Sequence, residues 1–106
     1  MPDRPRVLVV DDEPQILRAL RLILREAGYE VLQAGTAEEA LDVAALKPPA
    51  AAIVDLVLPD RDGVEVTREL RSWSSMPILV LSAVGEEDEK VRALAAGADD
   101  LSLIHI

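Results

Sequence analysis

The chain has 106 residues, enough for one domain, and 50% of them are hydrophobic although only Tyr29 and Trp73 are aromatic, so its core is aliphatic. That apolar share argues against intrinsic disorder, no apolar run reaches the ~18 residues that cross a bilayer, and there is no cysteine for a disulfide or a thiolate metal site. A net charge of −9 opposes direct binding to nucleic acid or to an anionic membrane, since both are polyanions, and the expectation is a cytoplasmic domain.

Arg6–Val10 reads as a short strand. Val7, Leu8, Val9 and Val10 leave neither face polar, as in a parallel strand buried between helices. After Asp11-Asp12-Glu13 the period changes. Ile16, Leu17, Leu20, Ile23, Leu24 and Ala27 recur at i, i+3 and i+4, which predicts an amphipathic helix over residues 14–27. Pro14 suits its first turn and Gly28 the position after its last. Residues 29–34 predict a second strand. Thr36, with Glu39 three residues on, is a capping box for a helix reaching about Leu46, and Pro48-Pro49 stops it.

Ala51–Asp55 is a third buried strand, and Pro59-Asp60-Arg61-Asp62-Gly63 is turn chemistry. A third helix is expected over 64–73, with Val66 and Leu70 inward and Trp73 packed at its end. Residues 78–81 predict a fourth strand. Residues 86–96 predict a fourth helix whose acidic first turn suits the helix dipole and which Gly97 ends. Residues 101–106 can form a fifth strand. No linker or repeat interrupts this order, so residues 1–106 are expected to be one domain.

Strand and helix alternating in this way predict an α/β fold, a parallel sheet with helices on both faces. In such folds the site lies outside the carboxyl ends of the strands. The residues found there are Asp11 and Asp12, Asp55, and Ser82. Three carboxylates ending neighbouring strands repel one another and call for a cation or a proton. An oxygen-only ligand set without His or Cys points to Mg²⁺. Asp55 lies in the apolar stretch 51–58, a costly place for a charge without a task. A carboxylate can act as a nucleophile and form an aspartyl phosphate, while Ser82 can donate a hydrogen bond to a phosphoryl oxygen.

Each residue also has a plainer reading. Asp11 or Asp12 alone would be a helix N-cap, and Ser82 a strand-ending serine. Asp60 and Asp62 read as turn residues, Lys90 as a solvated helix residue, and residues 86–89 as a solvated helix start. His105 stands alone and carries no metal role.

The segments VLVVDDEP (7–14), IVDLVLPDRDG (53–63), PILVLSA (77–83) and VRALAAGADD (91–100) together resemble the receiver domain of two-component response regulators. LRSWSSMPILVLSA further resembles receivers of the OmpR group, and among them the KdpE-type regulators of potassium uptake. The resemblance implies a flavodoxin-like (CheY-like) doubly wound sheet of order 2-1-3-4-5, an order that is itself a standard example of this fold class. It implies that Asp55 accepts a phosphoryl group from a sensor histidine kinase. It also implies that Asp11, Asp12, Asp55 and the Val57 backbone carbonyl hold Mg²⁺, and that the Ser82 hydroxyl moves toward the phosphoryl group. Such a domain is a signalling module, with at most slow self-phosphorylation and dephosphorylation, controlling transcription through an effector domain outside these residues.

The C-terminus departs from the family pattern. Counted without gaps, Leu101 falls at the switch aromatic, Ile104 at the lysine and His105 at the proline. The abrupt loss of pattern over 101–106 is expected of a truncated chain lacking the family's fifth helix. The sheet face that this helix shares with the first helix would then be partly uncovered, which predicts self-association as a dimer or segment swap. The alternative reading is a receiver fragment that folds, binds Mg²⁺ and self-associates but does not switch or accept phosphate. A haloacid-dehalogenase-type phosphohydrolase is disfavoured because Val57 stands where its second Asp is expected. A nucleotide binder is disfavoured because no Gly-rich loop follows a strand.

Overall fold

The computed structural model describes residues 4–83 and 100–104. The helix expected at 86–96, with Lys90 and Gly97, and also His105, lie outside the described residues. The element order is β1 (Arg6–Val10), α1 (Pro14–Glu26), β2 (Glu30–Ala34), α2 (Ala37–Leu46), β3 (Ala51–Asp55), α3 (Gly63–Trp73), β4 (Ile78–Ala83) and β5 (Asp100–Ile104). The strands form one parallel sheet in the order β2-β1-β3-β4-β5, the order implied by the resemblance.

The interior position of β1 explains its unbroken apolar run. β1 pairs with β2 on one side and β3 on the other, and Val7, Leu8, Val9 and Val10 are all buried. On one face Leu8, Val10, Ala52, Val54, Ile78 and Val80 form a single cluster with Ala37, Ala40 and Ala44 of α2 and with Val64, Val66 and Leu70 of α3. The small alanines bring α2 close to the sheet. Thr67, buried in the same layer, donates its hydroxyl to the Gly63 carbonyl at 3.0 Å, so its polar group is satisfied.

The opposite face is less complete. α1 packs mainly on β1 and β2, and none of its residues is buried. Leu24 meets the sheet, but Ile23, placed in the inward stripe by its spacing, is 62% exposed, and Ala27 is exposed as well. The helix is amphipathic as expected, yet the part of its apolar stripe that turns past β1 and β2 has nothing over it among the described residues. Trp73, expected to pack at the end of α3, is 49% exposed.

The helix ends follow from local chemistry. Pro14 occupies the first turn of α1. At the other end Gly28 N–H donates to the Arg25 carbonyl and Tyr29 N–H to the Leu24 carbonyl, a Schellman motif that places Gly28 at φ +98°. Thr36 caps α2 by accepting the Glu39 N–H at 3.1 Å, but Glu39 returns its carboxylate to the N–H of Gly35, one residue earlier than the simplest capping box. β4 runs to Ala83, beyond the expected residue 81, because Ser82 and Ala83 pair with Leu103 and Ile104 of β5. No helix among the described residues is long and apolar enough to cross a membrane.

Candidate functional site

The parallel register brings the carboxyl ends of β1 and β3 side by side, with Val10 opposite Val54. Asp11 therefore follows β1 where Asp55 ends β3. One carboxylate oxygen from each of Asp11, Asp12 and Asp55 lies within 4.8 Å of the others, so the three predicted acidic residues do come together.

Each carboxylate is aimed by the backbone. Asp11 N–H donates to the Ala34 carbonyl at 3.0 Å, extending the β1–β2 ladder by one rung. The Asp11 carboxylate then turns back and accepts the Glu13 N–H at 2.8 Å. Asp11 is 1% exposed and Asp12 is exposed at the rim. Asp55 Oδ1 accepts the Val57 N–H at 3.1 Å, while its Oδ2 takes no hydrogen bond from the described residues.

The electrostatics follow from this packing. Burial pushes the Asp11 carboxyl up, the Glu13 amide opposes this, and the charges of Asp12 and Glu13 add to it. Burial likewise pushes Asp55 from the ordinary carboxylate value of 3.8 to about 6, against the Val57 amide and with the help of Asp11, Asp12 and Glu13. No arginine or lysine among the described residues pairs with these three carboxylates. The site is thus a concentration of negative charge with hard oxygen donors only, a donor set that suits a small divalent cation.

The other predicted residues are placed less completely. Val57 lies just beyond β3, in a loop whose ends are closed by an antiparallel bridge between Val57 and Asp62. Its side chain is 70% exposed beside the site. Ser82 lies on β4 one residue beyond Leu81, the partner of Asp55. Ile104, at the position where the resemblance expects a lysine, ends β5 opposite Ala83.

Two residues read as turn chemistry have further tasks. Asp60 is not confined to its own turn: its carboxylate accepts the N–H groups of Ala37 and Glu38, 23 and 22 residues away, and those amides, Ala37 first, hold its carboxyl below the ordinary value. Gly63, at the start of α3, is needed for close approach. A Cβ there would lie 2.2 Å from the Asp55 carbonyl oxygen and 2.7 Å from Leu56 Cα. The only sequence signal for Gly63 is a glycine at a first helical position where a better helix former would otherwise stand. For Asp60 there is none, because its partners are remote. Asp62 keeps its local role, capping α3 by accepting the Val64 N–H at 2.8 Å.

Comparison with known proteins agrees with this geometry. Residues 7–102 match the response regulator receiver domain family. Over 94 residues the chain is 54% identical to the transcriptional regulatory protein KdpE of Mycobacterium tuberculosis and 50% identical to the KDP operon transcriptional regulatory protein KdpE of Escherichia coli, each alignment covering 89% of this chain and 42% of the relative. The chain therefore spans less than half the length of these curated relatives. A CheY-like response regulator receiver domain protein from Methanospirillum hungatei superposes with a TM-score of 0.90 at 30% identity, covering 98% of this chain and 84% of that one. A response regulator described from Chloroflexus aurantiacus gives a TM-score of 0.87 at 36% identity, covering 95% of this chain and 85% of that one. The matched span takes in both acidic strand ends, and the chain belongs to the response regulator receiver domain family.

Proposed function

We propose that this chain is a Mg²⁺-dependent phosphoacceptor, with Asp55 as the residue that takes a phosphoryl group from a sensor histidine kinase. The observation that carries this reading is the convergence of Asp11, Asp12 and Asp55 within 4.8 Å at the strand ends of a receiver fold. Asp11, Asp12, Asp55 and the Val57 carbonyl would hold the metal. When bound, Mg²⁺ supplies positive charge against the oxygens of the transferring group.

The chain's own part is positioning. Val57 N–H holds Asp55 Oδ1 and leaves Oδ2 to attack phosphorus. A new O–P bond forms as the P–N bond of the donor phosphohistidine breaks, and the released imidazole takes a proton from solvent. Ser82 is assigned a hydrogen bond to the incoming phosphoryl group. The reaction leaves the chain as product, which makes it a signalling module with at most slow self-dephosphorylation and not a turnover enzyme. In a longer protein of the KdpE kind, acting in the cytoplasm, the modification would control transcription through a separate effector domain. The charge of −9 argues against this chain itself contacting DNA or membrane.

The test is chemical mapping. Protein treated with acetyl phosphate and Mg²⁺, then reduced with borohydride, is expected to yield homoserine at position 55. Homoserine at position 11 or 12, or none, contradicts the assignment. Folded, Mg²⁺-binding protein without the adduct would favour the reading of a receiver that cannot be modified.

Self-association through the α1 face belongs to the same proposal. Leu22 and Ile23 of α1 are 56% and 62% exposed, and their neighbour Leu24 borders an open apolar groove with Val7, Tyr29, Ile53 and Leu79. Light scattering at high concentration is expected to give a dimer mass that Ile23→Arg returns to the monomer. A monomer at all concentrations contradicts it.

A further inference from the structure

Besides the β1–β3 pairing, the two acidic strand ends are joined by a longer route through the end of β2, the start of α2 and the β3–α3 loop. Asp11 N–H donates to the carbonyl of Ala34, the last residue of β2, and α2 begins three residues later. The first two amides of α2 are donors that no helical carbonyl can take. Asp60 takes both: Oδ1 accepts the Ala37 N–H at 2.8 Å and Oδ2 the Glu38 N–H at 3.1 Å. Thr36 already serves the next donor, Glu39 N–H. Asp60 is therefore the tip of the β3–α3 loop held on α2, while its neighbour Arg61 holds the same tip on α3 through Glu65 and Glu69. At the loop's base, Val57 bridges Asp62 and the Gly63 N–H donates to the Leu56 carbonyl at 3.0 Å. The ring closes at Asp55, whose Oδ1 accepts the Val57 N–H.

The geometry points to Asp60 as a positioning residue for the phosphoryl site. By fixing the loop tip to the start of α2, it fixes Val57 at the base relative to the Asp11 end of β1. The Val57 carbonyl and the Val57 N–H that aims Asp55 thereby stay in register with Asp11 and Asp12. This inference rests on the Mg²⁺ phosphoacceptor reading. It differs from a simple helix cap, whose loss would weaken α2 and leave the site alone.

The test is calorimetric Mg²⁺ titration of the full chain, with urea unfolding alongside. Asp60→Ala is expected to bind Mg²⁺ roughly tenfold more weakly, the lower range for residues that support metal ligands from behind. Asp60→Asn keeps one acceptor oxygen for one of the two amides and is expected to fall between Asp60→Ala and wild type. Thr36→Ala removes a cap from the same helix end without touching the loop, so it is expected to lose stability and keep wild-type Mg²⁺ affinity. Should Asp60→Ala fail to fold, Asp60→Ser, whose hydroxyl is too short to reach α2, is expected to show the same weakening. Wild-type affinity in the folded Asp60 variant overturns the positioning role, and so does an equal loss in Thr36→Ala. Wild-type protein that binds no Mg²⁺ overturns the metal site itself, and the positioning role falls with it.

Discussion

Asp55→Asn is expected to stabilise the metal-free domain at pH 7.5 by on the order of 2 kcal/mol, the size set by a carboxyl displaced from 3.8 to about 6 and discounted for its contact with solvent. The sign follows from linkage. A carboxyl whose value is raised on folding binds its proton more tightly in the folded state. Its contribution to stability is fully present below about pH 4 and is lost as the pH rises through 6. At neutral pH the folded protein therefore holds an ionised Asp55 against burial and against Asp11, Asp12 and Glu13. Asn keeps an oxygen for the Val57 N–H and carries no charge. Urea unfolding of both proteins between pH 4 and 8 checks this, because carboxylates remote from the site contribute equally to both, and Asp11, Asp12 and Glu13 are relieved of the same charge in the variant. The gap should narrow as the pH falls. Saturating Mg²⁺ should close it at pH 7.5, since wild-type protein gains about 2.7 kcal/mol at a hundredfold excess over Kd while the variant gains less. A variant no more stable than wild type at pH 7.5 contradicts the electrostatic account of the site.

Gly63→Ala carries the second large effect. The atoms its Cβ would strike are backbone, the Asp55 carbonyl oxygen and Leu56 Cα, and neither can move without moving the residue that bears the site. Overpacking of this kind costs about 3 kcal/mol or more. The displaced Asp55 should also bind Mg²⁺ poorly and accept little phosphate. Gly28→Ala is the contrast. It meets no atom within 4 Å and is strained only by φ +98°, so a cost of roughly 1 kcal/mol and an intact site are expected. Unfolding and Mg²⁺ titration of the two variants separate the cases. Gly63→Ala within 0.5 kcal/mol of wild type, a bound typical of neutral surface changes, contradicts the close-approach argument.

What was legible in the sequence is what depends on neighbours along the chain. The unbroken run Val7–Val10 marks a strand apolar on both faces, and the i, i+3, i+4 spacing after Pro14 marks a helix, whatever lies elsewhere. The alternation of the two implies a parallel sheet with Asp11, Asp12 and Asp55 beyond the carboxyl ends of strands, and the order that makes those strands neighbours is what the family resemblance implies. The illegible parts depend on contacts across the fold. β4 reaches Ala83 only because β5 is there to pair with it. Asp60 sits among turn formers, and nothing near it points to amides more than twenty residues earlier. The wheel of α1 gives the direction of its apolar stripe but not how much of it the sheet covers, so Ile23 belongs to the stripe by spacing and still stands exposed.

Three carboxylates at the ends of β1 and β3 are proposed to make Asp55 a Mg²⁺-dependent phosphoacceptor, with Ile104 where the family resemblance expects a lysine. The most direct measurement is the intact mass of the chain after incubation with acetyl phosphate, with and without Mg²⁺, beside Asp55→Asn. One phosphoryl group added only with Mg²⁺, and absent from the variant, is the expected result. An adduct that forms without Mg²⁺ or persists in Asp55→Asn contradicts the claim, and so does wild-type protein that binds Mg²⁺ and stays unmodified.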